Sequence, residues 1–162
     1  MITISDLLSI DRILCNVDAG SKKRVLELLG ELLAGAQVPS DEESEALSEA
    51  EIFDTLLNRE RLGSTGLGHG VAIPHARIKG GTTTCAAFIK LADGIDFDAV
   101  DQQPVDLLFA LLVPETCTDE HLQLLAQLSR MFSDPQQLQQ LRTSDSRQQL
   151  LTLLQQWQPP AT

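Results

Sequence analysis

The chain has no apolar run approaching the roughly 18 residues that a membrane helix requires, so no transmembrane span is predicted. Its first residues, Met1 to Asp6, lack the basic start and apolar core of a secretory leader, which predicts a cytoplasmic protein. Cysteine is scarce. Cys15, Cys85 and Cys117 are odd in number and far apart, and no C-x-x-C pair occurs. That excludes a zinc ribbon or a paired redox motif and predicts reduced thiols. Cys85 opens an apolar run and is expected in the core. Positive charge is short as well: 12 Lys and Arg face 23 Asp and Glu, for a net charge of −11. Nucleic acid is a poor partner for such a chain, because phosphate backbones demand clustered basic residues. A basic protein partner suits it better, since complementary fields speed encounter. Solubility alone accounts for the acidity, and on composition it is the better reading. Neither G-x-G-x-x-G nor G-x-x-x-x-G-K-[ST] is present, so no nucleotide cradle is expected, and no cofactor or metal is predicted.

What is present is the composition of an ordinary globular domain, with 43% hydrophobic and 22% charged residues among 162. This length fits one domain with a sizeable core. Residues 3–17 read as a short helix and an edge strand. Ser21 caps a helix over about 22–35, with Val25, Leu28, Leu29, Leu32 and Leu33 on one face. Lys22 and Lys23 fall in its first turn, where the helix dipole disfavours them. Ser40 and Glu43 form a capping box for a second helix, about 41–58, with Ala46, Ala50, Phe53 and Leu57 as its stripe. Residues 71–74 and 83–91 read as strands, Gly80-Gly81 and Ala92-Asp93-Gly94 as turns, and Ile95 and Phe97 as a minor strand. Val105 to Val113 is almost wholly apolar, the mark of a central strand covered on both faces, and Pro114 ends it. Thr118 caps a third helix, about 119–133, with Leu122, Leu125, Leu128 and Phe132 inward. Asp134-Pro135 starts a short helix over 135–142, and a last helix covers about 145–157. Helices bracket strands throughout, so the fold class is α/β with a mixed sheet. The tail, 158–162, is expected to be loose.

The most unusual stretch is Leu62-Gly63-Ser64-Thr65-Gly66-Leu67-Gly68-His69-Gly70-Val71-Ala72-Ile73-Pro74-His75. Its glycines permit positive φ and close approach of backbone to a ligand. Exposed N–H groups in such a loop form an anion-binding concavity, and imidazole is a competent nucleophile. The residues therefore suggest a phosphoryl-accepting His75 beside a phosphate cradle. Ser64 and Thr65 would offer hydroxyls, and Gly66, Gly68 and Gly70 would offer N–H groups. Simple turn chemistry explains the same Ser and Gly residues, and a histidine after Ile-Pro is as readily structural as catalytic. His121, in the first turn of the third helix, would stay neutral beside the positive helix end and could donate to a phosphoryl group; an exposed helix-start histidine is the alternative. Arg59 and Arg61, at the end of the second helix, are rival guanidinium partners for phosphate. His69, His75 and His121 also raise a three-histidine zinc site, which no H-x-x-x-H spacing supports. Leu67 and Ile73 are candidates for an apolar rim around His75.

Gly63-Ser64-Thr65-Gly66 with Ala72-Ile73-Pro74-His75 resembles the active-site motif of fructose/mannitol-type IIA components of the bacterial sugar phosphotransferase system, and most of all their nitrogen-regulatory branch, IIA-Ntr. Residues 97–114 carry a second matching segment. The resemblance spans nearly the whole chain and implies one type-2 IIA domain over 1–157, with a central mixed sheet and helices on both faces. It implies phosphate carried on the ε nitrogen (tele position) of His75, a facing His121, and Arg59 in preference to Arg61. It also implies a histidine-phosphorylated HPr-like donor of the NPr type, with potassium transporters or sensor kinases as regulated partners. Whether such a phosphocarrier counts as an enzyme is left open. A sugar-specific fructose-type component passing phosphate to a IIB domain is the alternative, and a pure binding regulator is another. Two positions depart from the pattern. His69 stands where relatives usually carry Asn or another non-titrating residue, and Ala76 stands where they usually carry Gly.

Overall fold

The computed structural model describes residues 4–35, 48–78, 84–115 and 118–157. Six strands form one sheet; five run in the order β1-β5-β6-β3-β2, and the sixth, β4, pairs with β6 off that path. They are β1 (Ile13–Val17), β2 (Gly66–Gly68), β3 (Val71–Ala72), β4 (His75–Ile78), β5 (Cys85–Ile95) and β6 (Val105–Pro114). The sheet is mixed. β1 runs parallel to β5, and β3 and β4 run parallel to β6, while β5–β6 and β2–β3 are antiparallel. β6 holds the centre because its side chains find apolar cover on both sides. Leu108, Ala110 and Leu112 belong to one core and Leu107, Phe109, Leu111 and Val113 to the other.

The first core packs under α2 (Lys22–Ala34) and α3 (Glu49–Leu62), through Val25, Leu29, Leu33, Ile52 and Leu56. The second packs under α1 (Ile4–Leu7), α4 (Thr118–Met131), α5 (Pro135–Thr143) and α6 (Arg147–Gln156). Phe88, Phe109 and Phe132 meet there, with Phe88 and Phe132 stacked at 6.4 Å. This is the α/β class expected, with helices on both faces of a mixed sheet.

Local chemistry sets the helix ends. Ser21, Ser48, Asp134 and Ser146 each accept a backbone N–H at a helix start. The Ser40 capping box, the Gly80-Gly81 turn, Thr83, Cys117, the Thr118 side chain and the 158–162 tail lie outside the described residues. Lys22 escapes the unfavourable dipole by folding away from it: its ammonium lies 3.0 Å from Glu60 Oε2 and over the Phe97 ring.

Three expectations are corrected. α3 continues past 58 to Leu62 and buries Ile52, Leu56 and Glu60, with Phe53 and Leu57 only partly covered and Ala50 exposed. α4 begins at Thr118 and turns His121, Leu124 and Met131 inward; Leu128 and Phe132 are core as expected, Leu125 is partly covered, and Leu122 is 57% exposed. Each stripe has the right period and is rotated partly off the expected face, because the packing partner, absent from a local pattern, selects the face. Ala92-Asp93-Gly94 is no turn: β5 runs through it to Ile95 as an irregular stretch of ladder, and Phe97 lies outside any strand. Gly94 serves close approach instead, since a Cβ there would sit 2.7 Å from Pro104 Cβ. Cys85 is buried as expected.

Candidate functional site

β3 and β4 behave as one strand beside β6. Ala72 pairs with Leu108 and His75 with Leu111, three residues on in each chain, so the register carries straight across Ile73-Pro74. Pro74 has no N–H to give but accepts from Leu111 N at 2.9 Å. Strand alternation then sends Ala76 and Ile78 into the first core and leaves His75 and Arg77 on the opposite side.

There β4 meets α3 and α4 around a cavity of about 610 Å³. α3 contributes Thr55, Asn58, Arg59 and Leu62, β4 contributes His75, Ala76 and Arg77, and α4 contributes His121, Leu122 and Leu125. Leu62, 85% exposed, and Leu122 form an apolar lip. Three residues singled out in sequence thus come together: His75, His121 and Arg59. The His75 and His121 rings meet edge to face, 5.4 Å between centroids.

The protonation pattern follows from the hydrogen bonds. His75 Nδ1 lies 2.8 Å from the Ile73 carbonyl, which can only accept, so that nitrogen holds the proton and Nε2 keeps its lone pair. Burial holds the His75 pKa below the ordinary 6.5, and the Arg59 and Arg77 guanidinium groups push the same way. His121 is 4% exposed, and its Nδ1 accepts from Arg77 Nε at 3.2 Å. Its remaining proton is therefore on Nε2, and that atom is buried with no partner. Desolvation, then His75 and then Arg77, push its pKa down to about 4, so the ring is neutral at physiological pH. Arg59 donates from Nη1 to the Gly63 carbonyl at 2.9 Å, which ties the guanidinium to the end of α3. Arg61 is exposed, bonds Asn58 Oδ1 and does not line the cavity.

The glycine-rich stretch does something else. Ser64, Thr65, Gly66, Gly68 and Gly70 do not line the cavity. Ser64 Oγ donates to the Phe97 carbonyl at 2.9 Å and accepts from Gly66 N at 3.1 Å. Thr65 is buried, and its hydroxyl and N–H both bond the Glu60 carboxylate that Lys22 neutralises. Gly66 packs on Ala99, where a Cβ would come within 2.8 Å of the alanine Cβ. Gly70, at φ +81°, lies so close to Arg142 that a Cβ there would collide with Nη2. Its carbonyl accepts from Asp106 N and Leu107 N. His69 is exposed at the hairpin turn, φ 59°, with its N–H on Asp101 Oδ2 and its carbonyl bonded by Arg142. Leu67 does not line the cavity and Ile73 is core, so neither forms the rim. Among the described residues no group of three His, Cys, Asp or Glu side chains is placed to hold a metal ion, and His69 does not line the cavity that His75 and His121 share.

Arg77 is the charged cavity residue that sequence reasoning missed. Extending the strand past Pro74 would have found it, because residues two apart share a side.

The chain matches the family model described as "Phosphoenolpyruvate-dependent sugar phosphotransferase system, EIIA 2" over residues 6–157. A nitrogen regulatory protein of Pseudomonas aeruginosa is 42% identical over 154 residues, covering 95% of this chain and 96% of the relative. The crystal structure of nitrogen regulatory protein IIA-Ntr from Neisseria meningitidis superposes with a TM-score of 0.84 at 42% identity, over 93% of this chain and 98% of that one. IIA mannitol from Escherichia coli shares the fold, with a TM-score of 0.73 at 23% identity over 91% of this chain and 98% of that one. The chain belongs to the EIIA 2 family of the sugar phosphotransferase system. Within it, the chain is similar to the nitrogen regulatory, or IIA-Ntr, proteins. No helix is long and apolar enough to cross a membrane among the described residues.

Proposed function

We propose that this IIA protein accepts a phosphoryl group on Nε2 of His75 from a histidine-phosphorylated, HPr-like carrier of the NPr type. Its phosphorylation state then regulates partner proteins. The observation that carries the reading is a nucleophilic nitrogen with a free lone pair beside a buried N–H that has no acceptor. In the step, the bond from phosphorus to the donor's ring nitrogen breaks as the bond to His75 Nε2 forms. No proton needs to move, because His75 Nδ1 already holds one. The ring becomes cationic on phosphorylation, and the Ile73 carbonyl stabilises that charge. Phosphoryl transfer asks a protein chiefly to position groups and stabilise charge. His121 Nε2–H and the Arg59 guanidinium are the groups suited to do so.

Ser64, Thr65 and the loop glycines are not offered as phosphate ligands, since none of them lines the cavity and the Ser64 and Thr65 groups are bonded within the fold. The docking face is the lip of Leu62 and Leu122, and the chain's excess of acid suits a basic carrier. The site acts in the cytoplasm on this reading. Potassium transporters and sensor kinases are the classes of regulated partner that the IIA-Ntr likeness implies.

The test is incubation with phosphoenolpyruvate, enzyme I and an HPr-type carrier. The expected result is a mass gain of one phosphate, acid-labile and base-stable, that disappears in His75→Ala. A gain that persists in His75→Ala would sink the assignment. Regulation that is unchanged in that variant would favour a pure binding regulator.

A further inference from the structure

The geometry points to Arg77 as a positioning residue: its Nε–H, 3.2 Å from His121 Nδ1, fixes the tautomer of His121 and thereby makes Nε2 the nitrogen that donates into the cavity. The inference rests on the reading above for its consequence, but the tautomer stands by itself.

A guanidinium has five donors and no acceptor, and it does not lose its proton in proteins. Facing it, Nδ1 of a neutral imidazole can only accept. Were the proton on Nδ1, two N–H groups would oppose each other across 3.2 Å, and the ring beside His75 would hold a lone pair on Nε2 in place of a donor. With the proton on Nε2, the donor is buried, unpartnered and next to the His75 ring. An unpaired buried donor costs the free protein stability and is worth most when an acceptor arrives. Arg77 itself is exposed, and it shares a strand side with His75 two residues before it. One short strand therefore carries both the nucleophile and the group that orients its partner ring. Arg59 is not placed for the task, because it is held to the Gly63 carbonyl.

The test compares Arg77→Met with Arg77→Lys in full-length protein. Methionine fills similar space with no donor, whereas lysine keeps a donor-only cation that reaches the same nitrogen. Each protein, labelled with ¹⁵N-histidine, is examined by long-range ¹H–¹⁵N correlation near neutral pH, and phosphorylation rates are measured in parallel. We expect His121 to be a pure Nε2–H tautomer in the wild type and in Arg77→Lys. Arg77→Met should show a mixture, with transfer slowed about tenfold, the worth of one modest hydrogen bond. The lysine variant should transfer within about threefold of the wild type. An Nδ1–H tautomer in the wild type, or an unchanged Nε2–H tautomer in Arg77→Met, overturns the proposal whatever the rates do. If the tautomers behave as expected but wild-type His75 takes no phosphate, the lock stands and the proposed function fails. Because Arg77 is exposed, neither variant threatens the core; matching dispersion of the remaining amide signals checks this.

Discussion

The glycine hairpin of β2–β3 and the cleft around β4 are neighbours in sequence and differ in the fate of their polar groups. In the hairpin the side-chain hydroxyls are occupied. Ser64 bridges Phe97 and Gly66, Thr65 spends its hydroxyl and N–H on Glu60, and the Gly70 carbonyl takes two N–H groups from β6. In the cleft, His75 Nε2 keeps a lone pair and His121 Nε2–H has no acceptor. Folding stability favours the first arrangement, since unpaired buried donors are costly. A site that is to receive an anion needs the second. The distinction lies in hydrogen-bond accounting, which glycine content and hydroxyl count do not reveal.

Four substitutions or conditions would break or sharpen this contrast. The largest expected effect is on transfer in His121→Leu. Removing a donor aimed at developing charge slows comparable reactions about 100-fold, or about 3 kcal/mol. Thermal stability should hold or rise, because a buried unsatisfied N–H goes with it. A variant that transferred at the wild-type rate would move the site away from His121. A similar size is expected in acid. His121 has its pKa lowered from 6.5 to about 4 in the fold, so the unfolded chain binds the extra proton between those values. Stability is therefore full above pH 6.5 and declines as pH falls from there toward about 4, by about 3 kcal/mol in all. Denaturant midpoints measured across that range should fall more steeply in the wild type than in His121→Leu, and parallel curves would refute the assignment.

The hairpin should respond the other way. Gly70→Ala places a methyl against Arg142 at a positive φ, and should lose about 2 kcal/mol of stability. Phosphorylated at saturating donor, the folded fraction should still accept one phosphate on His75. Smallest is Ser64→Ala, which removes one hydroxyl that donates to Phe97 and accepts from Gly66. It should cost about 1 kcal/mol in chemical denaturation and leave the transfer rate within about threefold. A loss of transfer comparable to that of His121→Leu would restore Ser64 to the site.

The legible part of the site was what chemistry marks locally. His75 stands out after Ile-Pro, and His121 and Arg59 stand at helix ends. The resemblance to IIA components selected among alternatives that composition left open, such as Arg59 over Arg61. Thr65 misled because a hydroxyl in a glycine-rich loop looks available until Glu60 is folded against it. Arg77 was overlooked because a proline normally ends a strand, whereas β6 holds the chain in register on both sides of Pro74. Leu122, expected inward, is exposed for a related reason: a helical period does not say which phase meets the sheet.

The sequence by itself determined the α/β class, the central position of Val105 to Val113 and most helix starts, and it marked His75 as the candidate nucleophile. These depend on local periodicity, capping side chains and a histidine set after Ile-Pro, all of which act over a few residues. Only the tertiary structure decided which polar groups are used up and which are left waiting. That depends on partners far away in the chain, such as Phe97 for Ser64, Arg142 for the His69 carbonyl and Arg77 for His121. A hydrogen bond needs its two atoms within about 3 Å, and no local pattern encodes that distance.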